Sequence, residues 1–457
     1  INGEELVSIG TSENPFKGTF EGDYNTIYNF SINGTSTDNQ GLFGCISGGT
    51  IQNLFLSDFK VVATKGINNI GGIVGYATQQ SAIINCKAES SGEIQSYGEY
   101  TGGIVGYLED SVINECLSNV TISGLDYTGG VVGYAKNSYI SNCSRFLGTV
   151  TGEDMVGGII GRVYYGTVIS DCINEGAVTG NDKVGGMVGY ADRCAVISNC
   201  TNEGTVSGGN YVGGIIGYEY ECLGIIYCTN EGEVRGRDYV GGIIGYAHNL
   251  YSIVVVIDCT NEGAVSGASN NVGGIVGYAH SVEVIGFTNY GTVSGSNEVG
   301  GIIDEVCDVE VIGCTNYGTV SGSNEVGGII GEVCIGKVVG CTNYGTVSGS
   351  NEVGGIIGEV CVGKVVGCTN YGTVTGSNKV GGIVGENYYT DINNAKNFGD
   401  IEGGYQVGGI VGYGYVGQIL AQSRVFKIEG CINYGNVKGT DTPAADTDNN
   451  EENEYTS

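Results

Sequence analysis

The sequence repeats itself with a period of about 27 or 28 residues. Units beginning at Gly327 and Gly354 differ at only three positions, which indicates recent duplication. A unit this short forms one supersecondary element, so the units must bury their apolar faces against each other. A Gly-Gly-Ile-Val-Gly-Tyr type motif begins at Gly71, Gly102, Gly129, Gly157, Gly185, Gly213, Gly241, Gly273, Gly300, Gly327, Gly354, Gly381 and Gly408, after a degenerate copy at Gln40 to Gly44.

Each unit contains short β-branched runs separated by Gly, Asn and Ser, and no run is long enough for a helix. Tandem hairpins would need about two chain reversals per unit. Stacked coils instead require each residue type to recur at one position, which the sequence shows. We therefore predict an all-β solenoid of about fourteen coils.

Asparagine recurs at one position in ten successive units, and Gly follows it two residues later. Stacked at about 4.8 Å, asparagine amides can hydrogen-bond to each other along the stack. A local turn at each Asn is the alternative, and both interpretations are structural. The predicted ladder comprises Asn174, Asn202, Asn230, Asn261, Asn289, Asn316, Asn343, Asn370, Asn397 and Asn433.

The charge of the chain restricts its partners. There are 49 acidic and 18 basic side chains, for a net charge of -31. Nucleic acid and anionic membrane surfaces would be repelled. The longest apolar stretches, such as Tyr251 to Ile257, are too short to span a bilayer, so we expect no membrane insertion.

The motifs resemble GLUG repeats, which occur in secreted and surface proteins. The resemblance covers roughly residues 40–439, and Phe16 to Gly22 resembles the leader that commonly precedes such repeats. It implies a single-stranded parallel β-helix at an extracellular or cell-surface location, and no particular reaction. We predict a capping segment over 1–39, the solenoid over 40–439 and an acidic flexible tail over 440–457.

Sixteen of the seventeen cysteines fall into two sets, and Cys45 belongs to neither. Eleven share one position that Leu54, Phe287 and Ala395 fill in other units, which predicts an inward-facing column. Five more lie six or seven residues upstream. If the intervening residues bend around a coil corner, disulfides could form, with free thiols as the alternative. The predicted pairs are Cys194/Cys200, Cys222/Cys228, Cys307/Cys314, Cys334/Cys341 and Cys361/Cys368. Zinc is not favoured, because only His248 and His280 are present and the spacings are not those of a zinc finger.

A tyrosine follows the Gly-rich motif in many units, while Glu305, Glu332, Glu359 and Glu386 take its place elsewhere. A position that accepts both a ring and a carboxylate is most simply exposed to solvent. Such rings either stabilise the sheet or bind sugars and protein partners. The candidate ligand-facing tyrosines are Tyr76, Tyr107, Tyr134, Tyr190, Tyr218, Tyr246 and Tyr278. A second column changes from Glu175, Glu203, Glu231 and Glu262 to Tyr290, Tyr317, Tyr344 and Tyr371.

Glu298, Glu325 and Glu352 form an acidic stack, whose repulsion in water is tolerable at about 1 kcal/mol per pair. No cofactor is predicted, with calcium kept as an alternative because carboxylates are its ligands. Asp192 and Asp304 interrupt columns and are interpreted as surface variation. Candidate glycosylation sites, relevant only if the source glycosylates such sequons, are Asn29, Asn33, Asn119, Asn142 and Asn199.

Catalysis needs neighbouring groups with different roles, whereas here neighbouring units are copies. We therefore predict a non-enzymatic, extracellular structural or adhesive solenoid that attaches to a glycan or to a host or neighbouring surface protein. Two alternatives remain: a self-assembling filament subunit, and a polysaccharide-binding or polysaccharide-cleaving β-helix.

Overall fold

The computed structural model describes residues 4–34, 37–89, 91–143, 148–249, 254–415, 417–419, 422–424 and 426–440. The predicted tail over 440–457 lies outside them from residue 441 onwards. The chain forms two compact units, Ile1–Val234 and Arg235–Ser457. Every regular element in the described ranges is a strand, and nearly all strands pair in parallel with the equivalent strand one coil further along. The predicted β-solenoid is confirmed, with about fourteen coils counted over the two units.

A coil of the first unit consists of five short strands. One coil runs through Val188–Asp192, Val196–Ser198, Thr201–Asn202, Val206–Ser207 and Asn210–Gly213. We call the first strand of each coil the motif strand and the last the corner strand. The motif strands of this unit are Phe43–Ser47, Val74–Thr78, Val105–Glu109, Val132–Lys136, Ile160–Tyr164, Val188–Asp192 and Ile216–Tyr220.

Coils in the middle of the second unit have fewer and longer strands, because the motif strand continues into the next strand without a break. Ile330–Val339 is followed by Thr342–Asn343, Val347–Ser348 and Asn351–Gly354. The motif strands of this unit are Ile244–His248, Val276–His280, Ile303–Ile312, Ile330–Val339, Ile357–Val366, Val384–Asn393 and Val411–Gly414.

The segment before the first motif also folds as a coil. Its strands Thr19–Glu21 and Thr26–Gly34 pair in parallel with Thr50–Gln52 and Phe55–Ala63. Phe30 stacks on Phe59 with ring centroids 5.5 Å apart. The apolar end of the first repeat is thus covered by a coil that lacks the sequence motif.

The core of each unit is a set of inward columns. The eleven-cysteine column is buried, except that Cys431 in the last described coil is only partly covered. Burial raises the pKa of the Cys116 thiol, which behaves as a small apolar group. Ile73 and Val74 adjoin in sequence yet are both fully buried, because the chain bends at Gly72 and Ile73.

The asparagine ladder is present in both units. Asn202 is fully buried, and its Nδ2 donates to the Gly204 carbonyl at 2.8 Å and to Asn230 Oδ1 at 2.7 Å. The Asn202 side chain thus forms both the local hydrogen bond of the turn and the hydrogen bond to the next coil, so the two predicted roles occur together. A Cβ at Gly186 would overlap the Asn202 side chain and the Gly214 carbonyl, so the motif glycine keeps space for the ladder. Further ladder bonds join Asn174–Asn202, Asn261–Asn289, Asn289–Asn316, Asn316–Asn343, Asn343–Asn370, Asn370–Asn397 and Asn397–Asn433.

Candidate functional site

Two columns of outward side chains adjoin on each unit. The motif column is the third residue of each motif strand. The corner column is formed by the residue two positions before the first glycine of each Gly-Gly pair. The backbone of this residue is left-handed, with φ of 55° at Tyr211. The rings of Tyr211 and Tyr218 lie 5.2 Å apart, so the corner residue covers part of the motif column. The motif column contains Cys45, Tyr76, Tyr107, Tyr134, Arg162, Tyr190 and Tyr218 in the first unit, and Tyr246, Tyr278, Glu305, Glu332, Glu359, Glu386 and Tyr413 in the second.

The candidate ligand-facing tyrosines point outwards but are only partly exposed. Tyr107 lies between Tyr76 and Tyr134, at 5.2 and 4.7 Å, and Tyr100 of the corner column packs against it at 5.4 Å. Burial raises the pKa of Tyr76 to about 12, with a contribution from its hydrogen bond to Glu109. These rings therefore pack against each other and offer a ligand little open surface, because the left-handed corner brings a second side chain over each of them.

Arg162 replaces tyrosine in the motif column of the first unit. Its guanidinium lies 4.9 Å from the Tyr190 ring and 5.7 Å from the Tyr134 ring, and donates to Asp192 Oδ2 at 2.8 Å. Asp192 also accepts from Arg193 at 2.9 Å and is only 4% exposed. The interpretation of Asp192 as surface variation is wrong, since it is the buried counter-ion of this cluster.

Carboxylates replace the tyrosines in the second unit. Corner residues Glu298, Glu325 and Glu352 face motif residues Glu305, Glu332 and Glu359. Burial, and then the charges of Glu298 and Glu332, raise the pKa of Glu325 to about 8. Burial, with Glu386 and Glu332, raises the pKa of Glu359 to about 7. At the next coil Lys379 Nζ balances part of this charge, 3.0 Å from Glu352 and 2.6 Å from Glu386.

Asp304 lies beneath the facing glutamates of the corner and motif columns, Glu298, Glu305, Glu325, Glu332, Glu352 and Glu359, which we call the acidic segment. It occupies the position held by Gly331 and Gly358 in the following coils, and it is fully buried. Asn271 Nδ2 donates both to Asp304 Oδ2 at 2.8 Å and to Glu305 Oε2 at 3.1 Å, so the two carboxylates adjoin. Asp304 Oδ1 has no hydrogen-bond partner in the structure. The interpretation of Asp304 as surface variation is therefore also wrong.

A third column lies two residues after the motif column on the same face of the strand, and we call it the His/Cys column. The rings of its two histidines stack at 4.7 Å. Cys334 Sγ lies 3.6 Å from Glu332 Oε1 and 3.7 Å from Glu305 Oε1. Cys361 Sγ lies 3.7 Å from Glu359 Oε1, and burial with the Glu359 charge raises the pKa of Cys361 to about 12. The column comprises His248, His280, Cys307, Cys334 and Cys361.

The predicted disulfide pairing is wrong in the first unit. Cys194 is bonded to Cys222, the same position one coil further on, with the two Cα atoms 4.5 Å apart. The predicted pairs Cys194/Cys200 and Cys222/Cys228 therefore do not form. Cys200 and Cys228 lie instead in the buried cysteine column, where each thiol donates to the backbone carbonyl two residues earlier, at 3.3 and 3.6 Å. The disulfide thus links neighbouring coils, because equivalent positions are closer together than two positions within one coil.

The predicted pairing is also wrong in the second unit. Cys307, Cys334 and Cys361 are partly exposed thiols, whereas Cys314, Cys341 and Cys368 are buried thiols of the inward cysteine column. The two members of each predicted pair therefore lie in different columns and do not bond.

The second tyrosine column is the exposed one. In the second unit its rings stack face to face, with centroids 4.7 to 5.0 Å apart and planes inclined by 3° to 8°. Each ring is 40% to 60% exposed. We call this column the aromatic ladder, and its members are Tyr290, Tyr317, Tyr344, Tyr371, Phe398 and Tyr434.

The candidate sequons lie on outward positions. Asn29, Asn33, Asn142 and Asn199 are exposed, and Asn119 is partly buried. Asn142 donates to Asn114 Oδ1 at 2.9 Å and Asn199 donates to Asp171 Oδ1 at 3.3 Å. Glycosylation of these residues stays a prediction.

Stacked parallel coils with a buried Asn ladder, a glycine pair in each coil and outward columns of repeated side chains define a β-solenoid repeat protein. A family model described as the GLUG motif matches residues 66–91 and 180–207, which confirms the resemblance to GLUG repeats. No curated protein and no solved structure is found to match the chain. Within the described ranges, no helix is long and apolar enough to cross a membrane.

Proposed function

We propose that this protein is a non-enzymatic, extracellular adhesive solenoid whose aromatic ladder attaches it to a glycan or to a protein on a neighbouring surface. The carrying observation is the exposure of six stacked rings on consecutive coils. Aromatic side chains dominate interface energetics, so a continuous column of them in a strongly acidic chain is a candidate attachment surface.

The ladder suits a periodic or extended partner. Its rings repeat every 4.7 to 5.0 Å along the stack, and each presents an edge that in five of the six carries a phenolic hydroxyl. An extended polysaccharide can repeat the same contact at successive coils, and the many weak contacts then add through effective concentration. The resemblance to GLUG repeats, which occur in secreted and surface proteins, supports the extracellular location.

The test measures retention of the purified chain on immobilised acidic and neutral polysaccharides and on intact microbial cells. Replacing Tyr317, Tyr344 and Tyr371 together by Ser removes the middle of the ladder. We expect retention to fall at least about tenfold, because each ring contact contributes roughly 0.5–1.5 kcal/mol. The matched control replaces three tyrosines outside the ladder that are 58% to 60% exposed, Tyr139, Tyr165 and Tyr227.

Equal retention of the ladder variant and the control variant would refute attachment through the ladder. Release of soluble sugar products during the same incubation would refute the non-enzymatic part of the proposal and favour polysaccharide cleavage.

A further inference from the structure

The most distinctive chemistry outside the aromatic ladder lies where the acidic segment meets the His/Cys column. The donor atoms of Glu305, Glu332 and Cys334 lie within 4.8 Å of one another, and so do those of Glu332, Glu359 and Cys361. Glu332 belongs to both groups. Each group therefore offers two carboxylates and one thiol from two successive coils.

The distances within these groups fit one metal ion each. Sulfur-to-oxygen distances are 3.6 and 3.7 Å at Cys334 and 3.7 Å at Cys361. A tetrahedral zinc ion with a bond of about 2.3 Å to sulfur and about 2.1 Å to oxygen places those two ligands about 3.6 Å apart. The side chains are thus already spaced as ligands of one ion, and without an ion the thiols donate to the carboxylates.

A buried carboxyl group beside these groups is a second observation that favours a cation here. Asp304 is fully buried, adjoins Glu305 through the shared Asn271 amide, and leaves Oδ1 without a hydrogen-bond partner. Among the described residues, none of Asp304, Glu305 and Glu332 forms an ion pair with a basic side chain. A buried carboxylate with an unsatisfied oxygen is costly unless a positive charge lies nearby.

We propose that Glu305, Glu332, Cys334, Glu359 and Cys361 bind divalent cations of the zinc class at two sites that share Glu332. Thiolate ligands select zinc-class ions over calcium and magnesium, which take oxygen ligands. His280 Nδ1 is buried without a hydrogen-bond partner, and His280 is in register with Cys307, so further nitrogen and sulfur donors continue the column.

Binding exchanges a proton for the metal ion at each thiol. The S–H bond of Cys334 breaks, the proton passes to solvent, and a sulfur–metal bond forms, while the carboxylates bind as anions. Two carboxylates, one thiolate and one water molecule then form the tetrahedral shell of the ion. The same exchange occurs at Cys361, so occupation of both sites releases about one proton per thiol.

The test uses the full chain, reduced and stripped with a chelator, titrated with Co²⁺ and then with Zn²⁺. We expect a thiolate-to-cobalt charge-transfer band that Zn²⁺ removes, up to two ions per chain, and proton release in parallel. The double variant Cys334→Ser/Cys361→Ser should lose the band. Glu332→Gln should weaken both sites by about 100-fold or more, since it removes the shared ligand.

Matched controls lie in the same unit. Cys431→Ser replaces another partly exposed thiol. Glu310→Gln replaces an exposed carboxylate that lies in the same strand as Glu305 and forms an ion pair with Lys337. Both should bind as the wild type does. The proposal is overturned if no band appears, if the band survives loss of both thiols in a folded variant, or if Ca²⁺ binds as tightly and independently of the thiols.

Discussion

Replacement of Asn343 by Ala tests whether the asparagine ladder holds the coils together. Asn343 is fully buried in the second unit. Its Nδ2 donates to the Gly345 carbonyl and to Asn370 Oδ1, both at 2.8 Å, and its Oδ1 accepts from Asn316 at 2.9 Å. The substitution removes one intra-coil bond and two inter-coil bonds at once.

The expected cost follows from these three bonds. Each buried hydrogen bond contributes about 1 kcal/mol net, and an abandoned buried acceptor adds roughly 1–3 kcal/mol. Asn370 Oδ1 still accepts from the Gly372 N–H at 3.2 Å, so the Gly345 carbonyl is the group whose partner is lost. We therefore expect Asn343→Ala to reduce the free energy of unfolding by about 4–6 kcal/mol.

The same substitution at the end of the ladder provides the comparison. Asn433 is exposed, accepts from Asn397 at 2.7 Å and donates to Gly435 at 2.9 Å, so Asn433→Ala should cost only about 1 kcal/mol. Lys337→Ala, which removes one exposed ion pair, should cost less than about 1 kcal/mol.

Urea unfolding followed by circular dichroism gives the three values, and hydrogen exchange reports which coils open, since repeat arrays need not unfold in one step. If Asn343→Ala and Asn433→Ala cost the same, the inter-coil bonds contribute nothing. The asparagine would then act only through its local turn, and the reasoning about the ladder would be refuted.

Three further predictions concern the disulfide, the acidic segment and the glycine pair. Cys194→Ser/Cys222→Ser should lower the stability of the first unit by about 3 kcal/mol, as expected for a closed loop of this length, measured by calorimetry with reductant as the control. Glu325 has a pKa of about 8 in the folded chain against 4.5 as the usual value, because burial and Glu298, Glu332, Glu359 and Glu352 disfavour its charge. Between about pH 4.5 and pH 8 the folded state therefore binds a proton that the unfolded state has lost, so the stability of the fold falls as the pH rises through this range. Glu325→Gln should raise the Tm more at about pH 8 than at about pH 5, measured in the presence of a chelator. Equal shifts of the Tm at the two pH values would contradict this. Gly328→Ala should prevent normal packing because its Cβ overlaps the Gly355 carbonyl and Asn343, whereas Gly340→Ala, at φ of 63° with no atom within 4 Å, should cost about 1 kcal/mol by urea unfolding.

The inward half of the fold could be predicted from the sequence because each inward column accepts either apolar side chains only or asparagine only. Cysteine is exchanged with Leu54, Phe287 and Ala395 at a position that the structure buries in every coil but the last described one. The asparagine column is always followed by Gly two residues later, and the structure shows the corresponding side-chain to carbonyl bond. Such columns report burial directly, since no polar replacement without a hydrogen-bond partner would be tolerated there.

The outward half could not be predicted in the same way, because its geometry depends on backbone features that leave little trace in residue type. The left-handed corner accepts Tyr211, Glu325 and Lys379 alike, yet it places each of them over the motif column and removes the expected exposure. Cys307 likewise lies in a partly exposed column, whereas Cys314 lies in the buried cysteine column. A usable signal was the recurrence of His or Cys two residues after the motif column, which becomes informative only when the outward face of that strand is known.

The division between inward and outward columns also explains how such a chain can acquire binding chemistry. Stability resides in the inward Val, Ile, Cys and Asn positions, so outward residues can change from tyrosine to carboxylate without disturbing the stack. Duplication of a coil then copies every outward donor at a fixed distance of about 4.8 Å. The near-identical units that begin at Gly327 and Gly354 supply the repeated pairs Glu332/Cys334 and Glu359/Cys361 in this way. A single Glu-x-Cys sequence offers too few ligands for a metal ion, but its duplicate in register completes the set, so duplication of a coil is sufficient to turn an outward column into a ligand-binding strip.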